Sequence, residues 1–424
     1  MKKFYLETYG CKLNQTDSDL IRGILGKNFQ EIFSTKEADF IVINSCGVVE
    51  RTERKIIKRI KSLRGKKIII SGCLPVILPE ESKKIALGVL GPQNILSIEK
   101  AANSVLKGKK FFEVSKKEID KAKYCFLKKR DKNEVSAIVP IAEGCLGNCT
   151  FCASRNSRGK LKSFSENNIL KEIKFLIESG YKEIQLTSQD AAIYGLDSKK
   201  FLLPELLNKI SKIQGEFKLR VGMMNPEFAG KIRKKLVKAF ESEKIYKFLH
   251  LSLQSGDDKI LAEMKRGYKT EDFLKIIKEF KANFKDVLLA IDIIVSYPGE
   301  DGKSFQKTLN IIKKIKPGVL HVFRFSKRKG TFSEGLKDFP ERIKKERSRM
   351  LNSIWREINL KENKKFLGKK LEVLVVGKRK NNFLARLPSF RTVILNKGQL
   401  GKFQRVKITG FKYNYLIGET IDIK

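Results

Sequence analysis

The sequence predicts an α/β multidomain protein: an N-terminal parallel α/β sheet domain, a central partial (β/α)6 TIM-like barrel, and a small all-β barrel at the C-terminal end. Three observations predict it. Residues 1–110 alternate short apolar strands with helices, residues 137–340 repeat six strand–helix units, and residues 366–424 hold short strands joined by Gly, Asn and Lys turns. At 424 residues the chain is too long for one core, and an apolar content of 41% makes a well-buried interior feasible.

In the first part, "FYLETYG" reads as a strand and "TDSDLIRGILG" as a helix with a Thr or Asp cap and a Gly stop. "DFIVINS" is a buried strand, "ERTERKIIKRIKSLRG" a helix and "KKIIISG" a third strand. The opening "MKKFYLETYGCKLNQ" alternates apolar and polar residues, so it reads as a strand and not as a signal peptide. Cys11, Cys46 and Cys73 follow these three strands, at the carboxyl edge where open α/β sheets assemble their sites. Free cysteine is often a small buried apolar residue. Three at equivalent strand ends, preceded by Gly10, Ser45 and Gly72, point instead to one shared cluster.

A charged stretch follows, and residues 111–136 read as a linker or surface excursion. Beyond it, "AIVPIAEG", "EIQLTS", "KLRVGMM", "FLHLSLQ", "LLAIDIIVS" and "VLHVFRFS" are strand candidates separated by amphipathic helices such as "SENNILKEIKFLIESG". Six such units predict a barrel that is open compared with the eight-unit form, with its chemistry at the carboxyl face. A basic connecting helix over 341–365, carrying the only tryptophan, Trp355, leads to the C-terminal module.

In "EGCLGNCTFCASRNSRG", Cys145, Cys149 and Cys152 follow the first barrel strand, and no fourth cysteine comes after them. Thiolates at CxxxCxxC spacing can hold three irons of a 4Fe–4S cluster, with Gly147 letting the loop turn closely. An electron carrier would supply a fourth cysteine. An open iron is a place for a cofactor, and S-adenosylmethionine can chelate it and be cleaved to a 5′-deoxyadenosyl radical. Zinc on three cysteines plus water or histidine is the alternative. The only two histidines, His250 and His321, sit inside predicted strands among apolar neighbours and read as core residues. The seventh cysteine, Cys125, stands alone and reads as incidental.

Lys+Arg number 89 against 47 Asp+Glu, a net charge of +42. Such a field favours a polyanionic partner, although lysine spread along the whole chain also fits a Lys-rich proteome. No apolar run of about 18 residues occurs, so no membrane partner and a cytoplasmic location are expected.

Taken in order, "TYGCKLNQTDSD", "INSCGVVE", "ISGCLP", "EGCLGNCTFC", "LTSQDAAIYG", "HLSLQSGDDKILAEMKRGY" and "DIIVSYPGE" resemble the radical S-adenosylmethionine methylthiotransferase family through nearly the whole chain. The resemblance implies two 4Fe–4S clusters: an auxiliary one on Cys11, Cys46 and Cys73, and a radical-generating one on Cys145, Cys149 and Cys152. It implies two S-adenosylmethionine molecules, one methylating the sulfur of the auxiliary cluster and one cleaved to the radical. It also implies a sulfur source and an external electron donor. The parts become a methylthiotransferase domain (1–110), a radical S-adenosylmethionine core (137–340) and a TRAM-like RNA-binding domain (366–424).

Candidate cofactor contacts at strand ends are Gln189, Asp190, Gln254, Ser255, Arg266 and Asp292, each with a plainer reading as a loop hydrogen bond, a cap or a solvated charge. The expected substrate is the anticodon stem-loop of tRNA. The stretch "ASRNSRGKLKSF" is similar to the archaeal and eukaryotic subgroup that acts on N6-threonylcarbamoyladenosine at position 37 and adds methylthio at C2. Arg155 or Arg158 would recognise the carboxylate of that nucleoside, while Lys378, Arg379, Lys380, Arg386, Arg391, Arg405, Lys412, Tyr413 and Tyr415 would meet RNA. Isopentenyladenosine in tRNA and an aspartate of a ribosomal protein are the alternative substrates. A non-enzymatic iron–sulfur RNA-binding or sensor protein is the third reading, and two incomplete triads argue against it.

Overall fold

Apolar β-branched runs in "FIVINS" and "IIISG" leave no polar face for water, so these segments are driven to the middle of a sheet covered on both sides. The computed structural model describes residues 1–115, 119–130 and 134–421. Its first sheet holds β1 (Lys3–Thr8), β2 (Gln30–Glu31), β3 (Phe40–Ser45), β4 (Ile68–Gly72), β5 (Gly88–Leu90) and β6 (Phe111–Glu113), all parallel, in the order β2-β1-β3-β4-β5-β6. Successive residues enter opposite cores: Phe40, Val42 and Ile69 pack on one face, and Ile41, Ile43, Ile68 and Ile70 on the other.

The second unit carries β7 (Ser136–Pro140), a short antiparallel hairpin β8 (Ala142–Glu143) and β9 (Lys162–Ser163), then β10 (Glu183–Thr187), β11 (Lys218–Arg220), β12 (Phe248–Gln254), β13 (Leu288–Val295) and β14 (Val319–Arg324). Two parallel three-stranded sheets, β11-β10-β7 and β12-β13-β14, are joined by bridges at Leu219–Ile245 and Met224–Leu251. The result is a six-stranded parallel arc. Helix Lys12–Leu25 of the first unit packs against the edge strand β7, and the long helix Glu341–Lys364 against the other edge, β14.

The C-terminal strands β15 (Lys370–Arg379), β16 (Asn382–Arg386), β17 (Thr392–Leu395), β18 (Phe403–Phe411) and β19 (Leu416–Thr420) close into a barrel, with β17 and β19 parallel and the other pairs antiparallel. Several contacts fix it to the rest. Asn363 donates to the Lys412 carbonyl (2.7 Å), the Lys247 amide to the Pro388 carbonyl (2.8 Å), and Trp355 stacks edge-on with Tyr413.

The stretch expected as a linker needs correcting. Phe111–Glu113 is the sixth strand of the first sheet, and Lys121–Leu127 is a 3-10 helix. Lys121 is 3% exposed, pairing with Asp17 (2.8 Å) and Glu143 (3.0 Å), and Lys128 pairs with buried Glu172 (2.7 Å). Lysines that look solvated in a sequence are here the counter-ions of carboxylates on three other elements. Cys125, in the same helix, is buried as a small apolar side chain.

Removing Lys121 strips a cation from Asp17 and Glu143 while both stay buried. Lys121→Met is expected to destabilise this junction by about 3–5 kcal/mol, read as a lower denaturation midpoint and faster amide exchange in helix Lys12–Leu25; unchanged values would contradict the account.

Candidate functional site

The first cysteine triad sits at the carboxyl ends of parallel strands, and the second follows the parallel strand β7 by way of the hairpin β8–β9. Cys11 is the N-cap of helix Lys12–Leu25 and Cys73 that of the short helix Leu74–Ile77, and neither thiol makes the capping bond. The turn before Cys11 depends on Gly10, at φ +105°, where a Cβ would come 2.7 Å from Cys46 Cβ. Only a glycine lets the Cys11 and Cys46 loops approach so closely. Asn14 then ties them, donating to the carbonyls of Tyr9 (2.7 Å) and Ser45 (2.9 Å).

The second triad lies in the loop between β8 and β9. Gly144, at φ +79°, allows this hairpin to close, since a Cβ there would fall 2.0 Å from the Lys160 carbonyl oxygen. The loop wraps around its own sulfurs: the Gly147 amide donates to Cys145 Sγ (3.2 Å), and a Cβ on Gly147 would stand 3.4 Å and 3.7 Å from the sulfurs of Cys145 and Cys149. Thr150 holds the loop to the barrel through the Met264 carbonyl (3.2 Å) and the Tyr297 hydroxyl (2.8 Å).

Within each triad the thiols sense one another's charge. Burial raises the thiols of Cys46 and Cys152, and burial together with Asp190 pushes Cys145 up to about 12. Such a site resists bare thiolates and releases protons when a metal supplies positive charge. Among the described residues, the one group of three metal-binding atoms within 4.8 Å of each other is His250, Asp292 and His321. Three soft sulfurs around a close-turning loop suit iron–sulfur ligation by the chemistry of the donor set.

One buried arginine touches each triad. Arg266 donates to Cys149 Sγ (3.2 Å), Asn225 Oδ1 (2.9 Å) and the Ser252 carbonyl (2.8 Å). Arg158, 2% exposed, reaches out of the barrel to Cys73 Sγ (3.3 Å) and to Asn14 Oδ1, and lies 2.8 Å from Asp17 with Glu143 beside it. Burial works against the Asp17 carboxylate, but Arg158 and Lys121 hold it below its usual range. A second buried arginine from the barrel, Arg328, bonds the Gly47 carbonyl next to Cys46 and also Glu53. The two triads thus belong to one assembled site. Arg158 was expected to read a substrate carboxylate, and the structure corrects this: its guanidinium is already committed to protein acceptors. Arg155 stays available, lining a cavity of about 670 Å³ with Asn148, Glu143 and Gln93.

The other expected cofactor residues divide. Buried side-chain atoms without a hydrogen-bond partner gather at the carboxyl edge: Ser188 Oγ, Gln189 Oε1, Asp190 Oδ2, Gln254 Oε1 and Ser296 Oγ. Gln254 and Ser296 also hold positive φ, +70° and +59°, at the ends of β12 and β13. Unsatisfied polar atoms and strained strand ends together fit a polar ligand such as S-adenosylmethionine. Ser255 instead accepts from the Asp257 amide (3.2 Å). Asp292 lies deeper and accepts from His250 Nε2 (3.0 Å) and His321 Nδ1 (2.7 Å). Both histidines thus bond a carboxylate rather than sit in an apolar core, and the buried Nδ1 of His250 has no partner.

The basic residues of the C-terminal barrel also divide. Lys378, Arg379, Lys380, Arg405 and Lys412 are exposed. Arg391 turns inward to Asn363 Oδ1 (2.6 Å) and the Phe366 ring, Tyr413 packs on Trp355, and Arg386 faces the barrel. Sequence reasoning missed Asn14, Asp17, Lys121, Glu143 and Arg328. Asn14 and Asp17 lie within "KLNQTDSD", one and two helical turns from Cys11, which is the one signal the sequence offered.

Comparison with known proteins agrees with this geometry. Residues 139–312 match the "Radical SAM superfamily" and residues 3–90 the "Uncharacterized protein family UPF0004". The chain is 47% identical, over 98% of its length and 97% of the relative's, to an Archaeoglobus fulgidus protein named "Probable threonylcarbamoyladenosine tRNA methylthiotransferase". It is 34% identical, over 99% and 97%, to a Clostridium novyi protein named "tRNA-2-methylthio-N(6)-dimethylallyladenosine synthase". Among solved structures, the radical S-adenosylmethionine methyltransferase TsrM from Kitasatospora setae matches with a TM-score of 0.55 at 12% identity, covering 76% of this chain and 75% of that one. At that identity the likeness concerns the fold.

Burial lifts Asp190 to about 7 from its ordinary 3.8, so between those pH values the folded chain holds a proton that the unfolded chain has lost. Stability therefore falls as pH rises through this window. In the metal-free protein, Asp190→Asn is expected to be more stabilising, relative to wild type, at pH 7 than at pH 4 by denaturant titration; an equal difference at both would contradict the assignment.

Proposed function

This chain belongs to the radical S-adenosylmethionine methylthiotransferase family, and we propose that it adds a methylthio group at C2 of N6-threonylcarbamoyladenosine at position 37 of tRNA. The observation that supports the reaction is the pairing of two cysteine triads, one at carboxyl strand ends and one in the hairpin loop after β7, joined through Arg158. The substrate follows the names of the relatives, since the Archaeoglobus protein is nearer in sequence than the Clostridium one named for dimethylallyladenosine.

Cys145, Cys149 and Cys152 hold the cluster that serves S-adenosylmethionine, and Cys11, Cys46 and Cys73 hold a second. When bound, the first cluster supplies the electron that cleaves the sulfonium and yields a radical able to abstract an inert hydrogen. The chain's own part is positioning. Arg266 keeps positive charge beside Cys149, and the Gly147 amide donates a hydrogen bond to the Cys145 sulfur. Gln189, Asp190 and Gln254 would offer their unpartnered oxygens to a polar group of the cofactor. Exposed Lys378, Arg379, Lys380, Arg405 and Lys412 meet phosphates of the stem-loop. The first 110 residues carry the sulfur chemistry, 137–340 the radical and 366–424 the RNA, with 341–365 as the connecting helix. An external reductant and a sulfur source complete the reaction in the cytoplasm.

The test is anaerobic reconstitution with dithionite, sulfide, S-adenosylmethionine and tRNA bearing threonylcarbamoyladenosine, with digested nucleosides read by mass spectrometry. Gain of one methylthio group on that nucleoside is expected. Gain on isopentenyladenosine alone would replace the substrate, and no gain on either would refute the tRNA reading.

Variants separate the two triads. Cys145→Ala is expected to abolish release of 5′-deoxyadenosine, whereas Cys46→Ala keeps that release and loses the methylthio product. Loss of both activities in both variants would deny the division of labour.

A further inference from the structure

Three cations from three parts of the chain face one another inside the barrel. Arg220 ends β11, Arg386 ends β16 of the C-terminal barrel, and Lys12 is the residue after Cys11. Phe390 organises two of them: the Arg220 guanidinium lies 5.4 Å from its ring centroid and the Arg386 guanidinium 4.5 Å, with Arg220 also 4.7 Å from Phe248. Phe390 takes φ +67°, an unusual conformation for an aromatic residue. That strain persists because the ring is held between the guanidinium groups, Tyr246 and Phe248.

Stacking fixes each guanidinium face and leaves the N–H edge for an acceptor. Among the described residues no hydrogen-bond or ion-pair partner reaches Arg220, and the buried Nε atoms of Arg220 and Arg386 are both unpartnered. Arg386 spends one nitrogen on Thr392. The Lys12 ammonium lies within electrostatic reach of both arginines and of Glu183.

The nearby carboxylates Glu183 and Asp292 act on these cations through space but hydrogen-bond to none of them. Glu183 accepts from Ser136 (2.7 Å), Gln185 and Tyr246 (2.9 Å), and Asp292 from the two histidines. Three cations against two committed carboxylates leave an unmatched positive charge in a place where burial already depresses Arg220, to about 10. Water still reaches it, for Lys12, Arg220 and Arg386 are only half-buried and His321 is exposed.

We propose that Arg220 and Arg386, aided by Lys12, form the receptor for the carboxylate of the substrate's N6-threonylcarbamoyl group. The inference rests on the substrate reading above and gives it a physical basis in place of Arg158. A planar carboxylate suits the free edges of two stacked guanidinium groups. Because Lys12 adjoins Cys11, the receptor borders the triad assigned to sulfur transfer. A neutral isopentenyl group would leave the three cations unpaired, so the same pocket selects against it.

The test compares holoenzyme turnover on two anticodon stem-loops, one carrying threonylcarbamoyladenosine and one carrying its methyl ester. Wild type is expected to prefer the acid. Arg220→Met and, independently, Arg386→Met should each raise KM for the acid by about tenfold to a hundredfold. Neither should change KM for the ester by comparable amounts, and Arg220→Lys should recover part of the loss. Iron content and uncoupled S-adenosylmethionine cleavage should stay at wild-type levels. Equal losses on acid and ester would mean that the arginines serve phosphates or packing, and would overturn the proposal, as would no loss in either variant. Wild type that leaves the acid untouched while modifying another nucleoside would instead refute the substrate reading on which the proposal rests.

Discussion

A single buried guanidinium, that of Arg158, holds the two halves of the site together. It leaves a five-residue helix behind the barrel cysteines and reaches the first sheet, where it meets Cys73, Asn14 and Asp17, with Glu143 on its own side. Lys121, from the segment between the two sheets, completes a set of two cations and two carboxylates. Charges this deep are costly unless every partner is present. The arrangement therefore tolerates one relative placement of the two sheets, in which both carboxyl edges, and both triads, share a mouth. Arg328 repeats the device on the Cys46 loop.

What the fold spends at that mouth is consistent with a site shaped for ligands. Thiols are raised by burial, carboxyl-edge oxygens lack partners, and Gln254, Ser296 and Phe390 hold backbone conformations that folding alone disfavours. Each of these costs is offset once a cationic cluster, a polar cofactor or an anionic substituent arrives. Elsewhere parallel strands lie between apolar faces, and the closed C-terminal barrel leaves no free edge among its described strands.

Local signals in the sequence marked the main strands and helices and the spacing of the cysteines, but not the short strands β2, β5 and β6. Strand and helix periods differ, CxxxCxxC spacing is short range, and Cys11, Cys46 and Cys73 share a position relative to their strands. Charged residues were not legible in the same way, because a charge is defined by what it meets. Lys121 looked solvated and is buried; Arg158 looked free and is committed; Asp292 looked like a cofactor contact and serves two histidines. Arg386 and Arg391 looked like members of one RNA-facing surface, yet both turn inward. Arg220 drew no notice in "KLRVGMM", since only the tertiary approach of Phe390 and Arg386 gives it meaning.

The most direct test of the central claim, that Arg158 sets the two triads face to face, is electron paramagnetic resonance of the reduced, iron-loaded enzyme. Spin–spin coupling between two clusters is expected in wild type, and Arg158→Met should retain the iron yet lose or weaken that coupling. Coupling unchanged in the variant, or absent from a fully loaded wild type, would contradict the account.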